Sequence, residues 1–197
     1  MATETLRPNG NGDLSALWGS DSDQSNNYAL VDETSANDFD YVENRGLAEE
    51  WDTDLYNLPS TAIPAGSTIN KVTFYARFKG GLRGEDYCKF AYKSGGTVYY
   101  SSAPNVTTYY AEYSWEQTTN QKTSAAWTID DINALQIGVS LYYGKSSFGG
   151  FCSQLWIVVD YTEAAHITKI NGIASANISK INGIPVANIS KVNGVAV

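Results

Sequence analysis

Alternation of apolar and polar residues between positions 69 and 161 constrains the fold more than any other feature of this chain. Every second residue is apolar through residues 72–78, and the same period of two returns around Phe90, Trp115, Val139 and Ile157. This pattern is typical of antiparallel sheets with one face on a core. We therefore predict an all-β protein, an antiparallel jelly-roll-like β-sandwich.

The composition agrees with a sheet protein and narrows the possible partners. Hydrophobic residues make up 43% of the 197 residues, aromatic residues 13% and charged residues only 17%. Long helical bundles are therefore not expected. The net charge of −8 would repel a phosphate backbone, so we expect no nucleic-acid partner.

No stretch of the sequence approaches the length of apolar residues that a membrane-spanning helix needs, so we expect no membrane span. The opening residues also lack the basic and apolar regions of a secretion signal. We expect the chain to be made, and assembled, in a cytoplasm.

Composition divides the chain into three segments. Residues 1–66 are acidic and loop-rich and are predicted to wrap the sandwich, and residues 67–165 form its core within the same domain. One short helix is predicted from Ile129 to Leu135, because Thr128 can cap it and Asp131 can bond back. Residues 166–197 form a separate repeat segment.

The last segment repeats with a period of eleven residues. Each unit places Asn-Gly between β-branched residues, which is a strong signal for a tight hairpin. We predict a C-terminal β-hairpin repeat, a narrow meander of strands about four residues long.

Such a meander is too short and too apolar to stand alone in water. It must pack on its own sandwich, on the same segment of other subunits, or on a partner. We predict that it mediates assembly through Ile167, Ile170, Asn171, Gly172, Ile178, Ile181, Asn182, Gly183, Ile184, Val186, Ile189, Val192, Asn193, Gly194 and Val195.

Nothing in the sequence points to catalysis or to a cofactor. The single histidine, His166, has no nucleophile placed beside it, and phosphate-binding and zinc-helix motifs are absent from the sequence. The acidic N-terminal residues offer a weak alternative: Asp32, Asp38 and Asp40 could ligate calcium, and their neighbours could act as a carboxylate pair on a sugar. Solvated turns are the expected role of these residues.

The two cysteines, Cys88 and Cys152, are too few and too far apart for a zinc ribbon. We expect two buried small hydrophobic residues, and a bridge between neighbouring strands is the alternative.

Tyrosines on the outer faces of the sheets could contact sugars. If Phe74 and Tyr109 face the core, then Tyr75 and Tyr110 face solvent, and Tyr142 and its neighbour Tyr143 present one ring to each side. Tyr75, Tyr110 and Tyr142 are therefore possible glycan contacts, although cross-strand tyrosine pairs also stabilise ordinary sheets.

Three parts of the chain resemble structural proteins of tailed bacteriophages. They are the opening Leu6-Arg-Pro-Asn-Gly-Asn-Gly-Asp13, the run from Trp127 to Gly138 with Ser153-Gln-Leu-Trp-Ile-Val-Val-Asp-Tyr161, and the Lys-Ile-Asn-Gly-Ile repeats. The resemblance implies a non-enzymatic virion component, such as a decoration, tail or fibre subunit, with itself or other virion proteins as partners. A self-polymerising extracellular filament and a carbohydrate-binding module of an adhesive fibre are the alternatives.

Overall fold

A computed structural model describes residues 1–46, 49–81, 87–144 and 149–164, together with six two-residue strands in the C-terminal segment. The strands of the body are β1 (Ala2–Leu6), β2 (Gly10–Ser15), β3 (Trp18–Gly19), β4 (Val42–Glu43), β5 (Glu50–Asn57), β6 (Thr68–Lys79), β7 (Cys88–Ser94), β8 (Thr97–Tyr100), β9 (Ala111–Gln117), β10 (Thr119–Asn120), β11 (Ala125–Ala126), β12 (Gln136–Tyr143) and β13 (Phe151–Thr162). A 3-10 helix spans Asn27–Leu30, and helix α1 spans Ile129–Asn133.

Two antiparallel sheets form the body and confirm the predicted jelly-roll-like β-sandwich. The first sheet has the order β3-β4-β13-β6-β9, with β1 paired to β13, and the second has the order β2-β5-β12-β7-β8. Strands β10 and β11 form a small ribbon of their own.

Aromatic rings join the two sheets across the core. Phe74 of β6 lies 5.2 Å from Tyr92 of β7, measured between ring centroids, and their planes are nearly parallel. Phe78 and Phe90 make a second ring contact between the sheets at 5.1 Å, with their planes tilted by 58°. All four rings are buried, as the alternation predicted for these positions.

The predicted helix cap is also confirmed. The Thr128 hydroxyl accepts a hydrogen bond from the Asp131 N–H at 3.0 Å, and the Asp131 carboxylate accepts one from the Thr128 N–H at 2.9 Å. Helix α1 ends at Asn133, two residues before the predicted end at Leu135.

The N-terminal segment contributes more sheet than its composition suggested. Strand β5 is eight residues long and lies inside the second sheet, between β2 and β12. The alternation is hidden there because Asp54, a charged residue, occupies a buried position opposite the buried Val139 of β12. Residues 31–38 do wrap the first sheet: the Val31 carbonyl accepts from the Leu155 N–H at 2.8 Å.

Hydrogen bonds to its carboxylate explain why an aspartate is tolerated at a buried position of β5. Asp54 is fully buried and accepts hydrogen bonds from the Ala16 and Leu17 N–H groups, from the Asn27 amide and from the Tyr56 hydroxyl. These four bonds replace the water that the carboxylate loses on folding. Burial still raises the pKa of Asp54, and the hydrogen bonds oppose that rise.

The repeat segment forms three separate hairpins. Their strands are β14 (Lys169–Ile170) with β15 (Ile173–Ala174), β16 (Lys180–Ile181) with β17 (Ile184–Pro185), and β18 (Lys191–Val192) with β19 (Val195–Ala196). One antiparallel pair of strands per repeat is confirmed, and over the described residues each strand has two residues and each pair forms its own sheet. The predicted strand length of about four residues extends into residues outside those described.

Five of the predicted assembly residues lie in these hairpin strands: Ile170, Ile181, Ile184, Val192 and Val195. The others, and His166, fall outside the described residues. Among the side chains of the second hairpin, Lys180 is exposed and Ile181 is half-buried.

Both cysteines are buried thiols, as expected for small hydrophobic residues. Burial raises the pKa of Cys152 to about 12, so its thiol stays protonated and unreactive. Within the part of the chain that the structure describes, no helix is long and apolar enough to cross a bilayer.

Candidate functional site

An open cleft lies where four strands of the sandwich begin or end. Phe151, the first residue of β13, lies directly opposite Glu43 of β4 on one side and Lys79 of β6 on the other. Tyr143, the last residue of β12, comes to the same edge from the second sheet. Antiparallel register therefore gathers an acid, a ring and a base in one row across the first sheet.

The cleft has a volume of about 590 Å³, within the range of about 300–1,000 Å³ that is usual for small-ligand sites. Its walls combine aromatic, charged and small residues. They are Tyr41, Glu43, Asn44, Arg45, Lys79, Gly80, Gly81, Thr108, Tyr143 and Phe151.

Aromatic rings form one wall and hold a lysine against it. Tyr41 meets Phe151 edge to face, with ring centroids 5.4 Å apart. The Lys79 ammonium lies 4.3 Å from the centre of the Phe151 ring and 4.7 Å from that of Tyr110. Both distances are within reach of a cation–π interaction, so the two rings fix the ammonium at the cleft.

The other charged residues of the cleft are paired with each other. Arg45 donates to a Glu43 oxygen from Nε at 2.7 Å and approaches it with a second nitrogen at 2.6 Å. Glu43 is largely buried, so this contact compensates the burial of its charge.

Asn44 shapes the wall but is not suited to hold a ligand. Its amide donates to the Leu141 carbonyl at 2.9 Å and to the Glu50 carbonyl at 3.2 Å, and its side-chain oxygen accepts from the Gly46 N–H at 2.7 Å. Its hydrogen-bonding groups are thus used to join β5 and β12 to the end of β4.

The predicted orientation of Tyr109 and Tyr110 is wrong. Tyr109 is 67% exposed, whereas the Tyr110 ring packs under Lys79 with its hydroxyl buried. Strand β9 begins only at Ala111, so the alternation does not extend back through these two residues. Burial raises the pKa of Tyr110 above its usual value.

The other two predicted glycan contacts lie elsewhere. Tyr75 stacks on its cross-strand neighbour Trp156 at 5.2 Å, on the outer face of the first sheet. Tyr142 contacts Trp51 at 5.2 Å, on the outer face of the second sheet. The three tyrosines therefore do not form one site, and only Tyr110 adjoins the cleft.

The three aspartates considered as calcium ligands, Asp32, Asp38 and Asp40, interact with neighbouring side chains instead of converging on one site. Asp38 accepts two hydrogen bonds from the Arg77 guanidinium, at 2.7 and 2.8 Å, which lowers the pKa of Asp38. Asp40 accepts from the Asn37 amide. Asp32 lies close enough to Arg7 for their charges to interact. Over the described residues, no three His, Cys, Asp or Glu side chains cluster as metal ligands would.

The burial of Glu33 predicts how the stability of the fold depends on pH. One of its oxygens is buried and has no hydrogen-bond partner, and burial raises the pKa of Glu33 to about 7. An acid whose pKa is higher in the folded than in the unfolded protein stabilises the fold at low pH. For Glu33 that contribution is lost as the pH rises from about 4.5 to about 7. Glu33→Gln should therefore remove this decline, gaining on the order of 1 kcal/mol at pH 8, since the side chain is half-exposed.

Urea unfolding at pH 4.5 and pH 8 measures this effect as the difference between Glu33→Gln and the native protein. Glu163→Gln is the matched control, because it removes the same charge from an exposed position. A difference that stays constant between the two pH values would contradict the assignment.

Sequence reasoning did not single out the residues that build the cleft. A signal existed for Lys79, which the alternation places on the outer face at the end of a strand. No local pattern connects it with Tyr41, Glu43 or Phe151, because these residues meet only through strand pairing.

No protein-family model matches this chain, and comparison with curated proteins also gives no match. Several solved structures are similar at low identity. A carbohydrate-binding module from Cellvibrio mixtus lichenase 5A, solved with cellotriose, is 13% identical with a TM-score of 0.41, covering 83% of this chain and 100% of the module. A xylan-binding domain from Paenibacillus barcinonensis is 11% identical with a TM-score of 0.38, covering 83% of this chain and 88% of the domain.

A cycloalternan-forming enzyme from Listeria monocytogenes, solved with a pentasaccharide substrate, is 11% identical with a TM-score of 0.35. The match covers 76% of this chain but only 11% of the enzyme. What these three proteins bind or make is a property of those proteins.

Proposed function

We propose that this protein is a non-enzymatic saccharide-binding module, with its site in the cleft at the end of the sandwich. The supporting observation is the convergence of the Tyr41 and Phe151 rings with Glu43, Arg45 and Lys79 around one open cleft. Sugars present apolar ring faces and many hydroxyl groups, so they suit a wall of aromatic rings flanked by charged donors and acceptors.

The charged groups of the cleft match what a sugar hydroxyl requires. Lys79 and Arg45 are donors only, and Glu43 is an acceptor when ionised, so together they can serve both roles of a hydroxyl group. The charged residues are held in place before a ligand arrives, by the two rings under Lys79 and by the contact between Arg45 and Glu43. Such preorganisation lowers the ordering cost of binding.

Replacing Tyr41 by alanine tests the proposal. A glycan array identifies the ligand, and titration of that saccharide should show a loss of affinity of about tenfold or more, because the more accessible ring of the aromatic wall is removed. Tyr110→Ala should weaken binding too, since it removes one of the two rings under Lys79.

Tyr100→Ala is the matched control, because Tyr100 is 47% exposed on β8 in the second sheet, away from the cleft. It should bind the saccharide as the native protein does. A silent array with folded protein, or an equal loss in Tyr41→Ala and Tyr100→Ala, would contradict a saccharide site in the cleft.

The repeat segment supports a second candidate function: a structural subunit of a virion or filament, assembled through residues 166–197. A single short hairpin is marginal in water, so three of them in a row call for a neighbour. The two candidates are compatible, since a fibre subunit can carry a saccharide-binding body and an assembly tail.

A further inference from the structure

We propose that the cleft selects saccharides that carry a carboxylate, with Lys79 as the residue that recognises it. This inference rests on the proposed saccharide-binding function and adds the chemical class of the sugar. It comes from the charges of the cleft, which are not balanced.

Among the described residues, Lys79 has aromatic partners but no ion pair with an acid. Its ammonium lies over the rings of Phe151 and Tyr110, and none of the ion pairs found among the described residues includes it. A cation–π interaction leaves the N–H groups that point away from the rings free to donate. In a partly enclosed cleft these donors favour an anionic acceptor, because charge-assisted hydrogen bonds are stronger than neutral ones.

Two described acids, Glu43 and Asp38, are each bonded to an arginine rather than to Lys79. Glu43 is bonded to Arg45, and both oxygens of Asp38 are bonded to Arg77, although Asp38 also feels the charge of Lys79. Of the described residues that line the cleft, one is an acid and two are bases, on a protein whose net charge is −8. The cleft is therefore locally positive on an acidic molecule, which would guide an anionic group toward it.

The aromatic wall favours a sugar acid over a small free anion. The half-buried Tyr41 offers ring surface to an apolar sugar face, and Lys79 lies beside it over the buried Phe151 ring. A uronic acid carries its carboxylate on the carbon outside the sugar ring, so one residue can place its ring on the aromatic wall and its carboxylate at Lys79. A neutral sugar of the same shape would leave Lys79 without its anionic partner.

The test uses an array of uronic acid oligomers, each beside its methyl ester, which keeps the ring and removes the charge. The full chain should bind the acids about tenfold more tightly than the esters, and the preference should shrink as salt is raised. Lys79→Met should abolish the preference while keeping ester binding, because methionine preserves the packing on the rings.

Lys89→Met is the matched control, since Lys89 also lies over an aromatic ring, that of Trp51 at 3.8 Å, but on the second sheet. It should leave the preference unchanged. Equal binding of acids and esters would overturn this inference and leave the saccharide site intact, and a preference that survives Lys79→Met in a folded protein would overturn the role of Lys79. Binding of neither form, while another saccharide on the glycan array binds, would overturn this inference alone, and a silent glycan array would overturn the proposed function itself.

Discussion

Asp54→Ala is expected to lower the free energy of unfolding by about 4 kcal/mol. The substitution leaves the Ala16 and Leu17 N–H groups, the Asn27 amide and the Tyr56 hydroxyl without their shared acceptor. Each unsatisfied buried donor costs about 1–3 kcal/mol, and the four costs overlap because the donors share one site. The loss is large because this carboxylate joins the residues between β2 and β3, the 3-10 helix and β5.

Asp54→Asn separates the loss of bonds from the loss of packing. The asparagine oxygen still accepts from the two backbone N–H groups, but its amide nitrogen faces the Asn27 amide, so donor meets donor. We expect a smaller loss, about 2 kcal/mol, partly offset because a buried charge is removed. Urea unfolding followed by tryptophan fluorescence measures both values, and an Asp54→Ala protein within 1 kcal/mol of the native one would contradict the role assigned to Asp54.

Deletion of residues 167–197 is expected to leave a folded body and to abolish self-association. Every strand of the two large sheets lies before residue 163, and the core cluster comes from the same residues, so the melting temperature of the body should hold. The hairpins that are removed are short and gain too little from their own pairing to be stable without a neighbour.

Sedimentation velocity of the full chain and the deletion variant measures the effect across a range of concentrations. In the full chain, Ile181→Ser should weaken association, whereas Lys180→Ser is the matched control because its side chain is exposed next to a half-buried one. A deletion variant that associates as the full chain does would contradict an assembly role for the repeat.

Local patterns predicted the strands in which buried and outward-facing side chains alternate regularly. The alternation through β6, β7, β12 and β13 identified the buried rings Phe74, Phe78, Phe90 and Tyr92, since burial on one face demands a period of two. The cap of helix α1 was also predictable, because its two hydrogen bonds join residues only three apart.

Strand β5 and the tyrosine pair show where local patterns fail. Asp54 reads as a surface residue, yet it is buried because donors from residues 16, 17 and 27 reach it in the folded protein. Tyr110 reads as the outward residue of a strand, yet the strand begins after it and its hydroxyl is buried. In both places the deciding contacts come from distant parts of the chain.

The sequence by itself determined that this chain is an antiparallel sandwich with one capped helix and one hairpin in each C-terminal repeat, because hydrophobic periodicity, capping and turn chemistry act over a few neighbouring residues. Only the tertiary structure determined which residues form the cleft. Tyr41, Glu43, Lys79 and Phe151 are far apart in sequence and come together because β4, β13 and β6 pair in one register. That register depends on burying both sheets at once, a condition that no single segment of the chain contains.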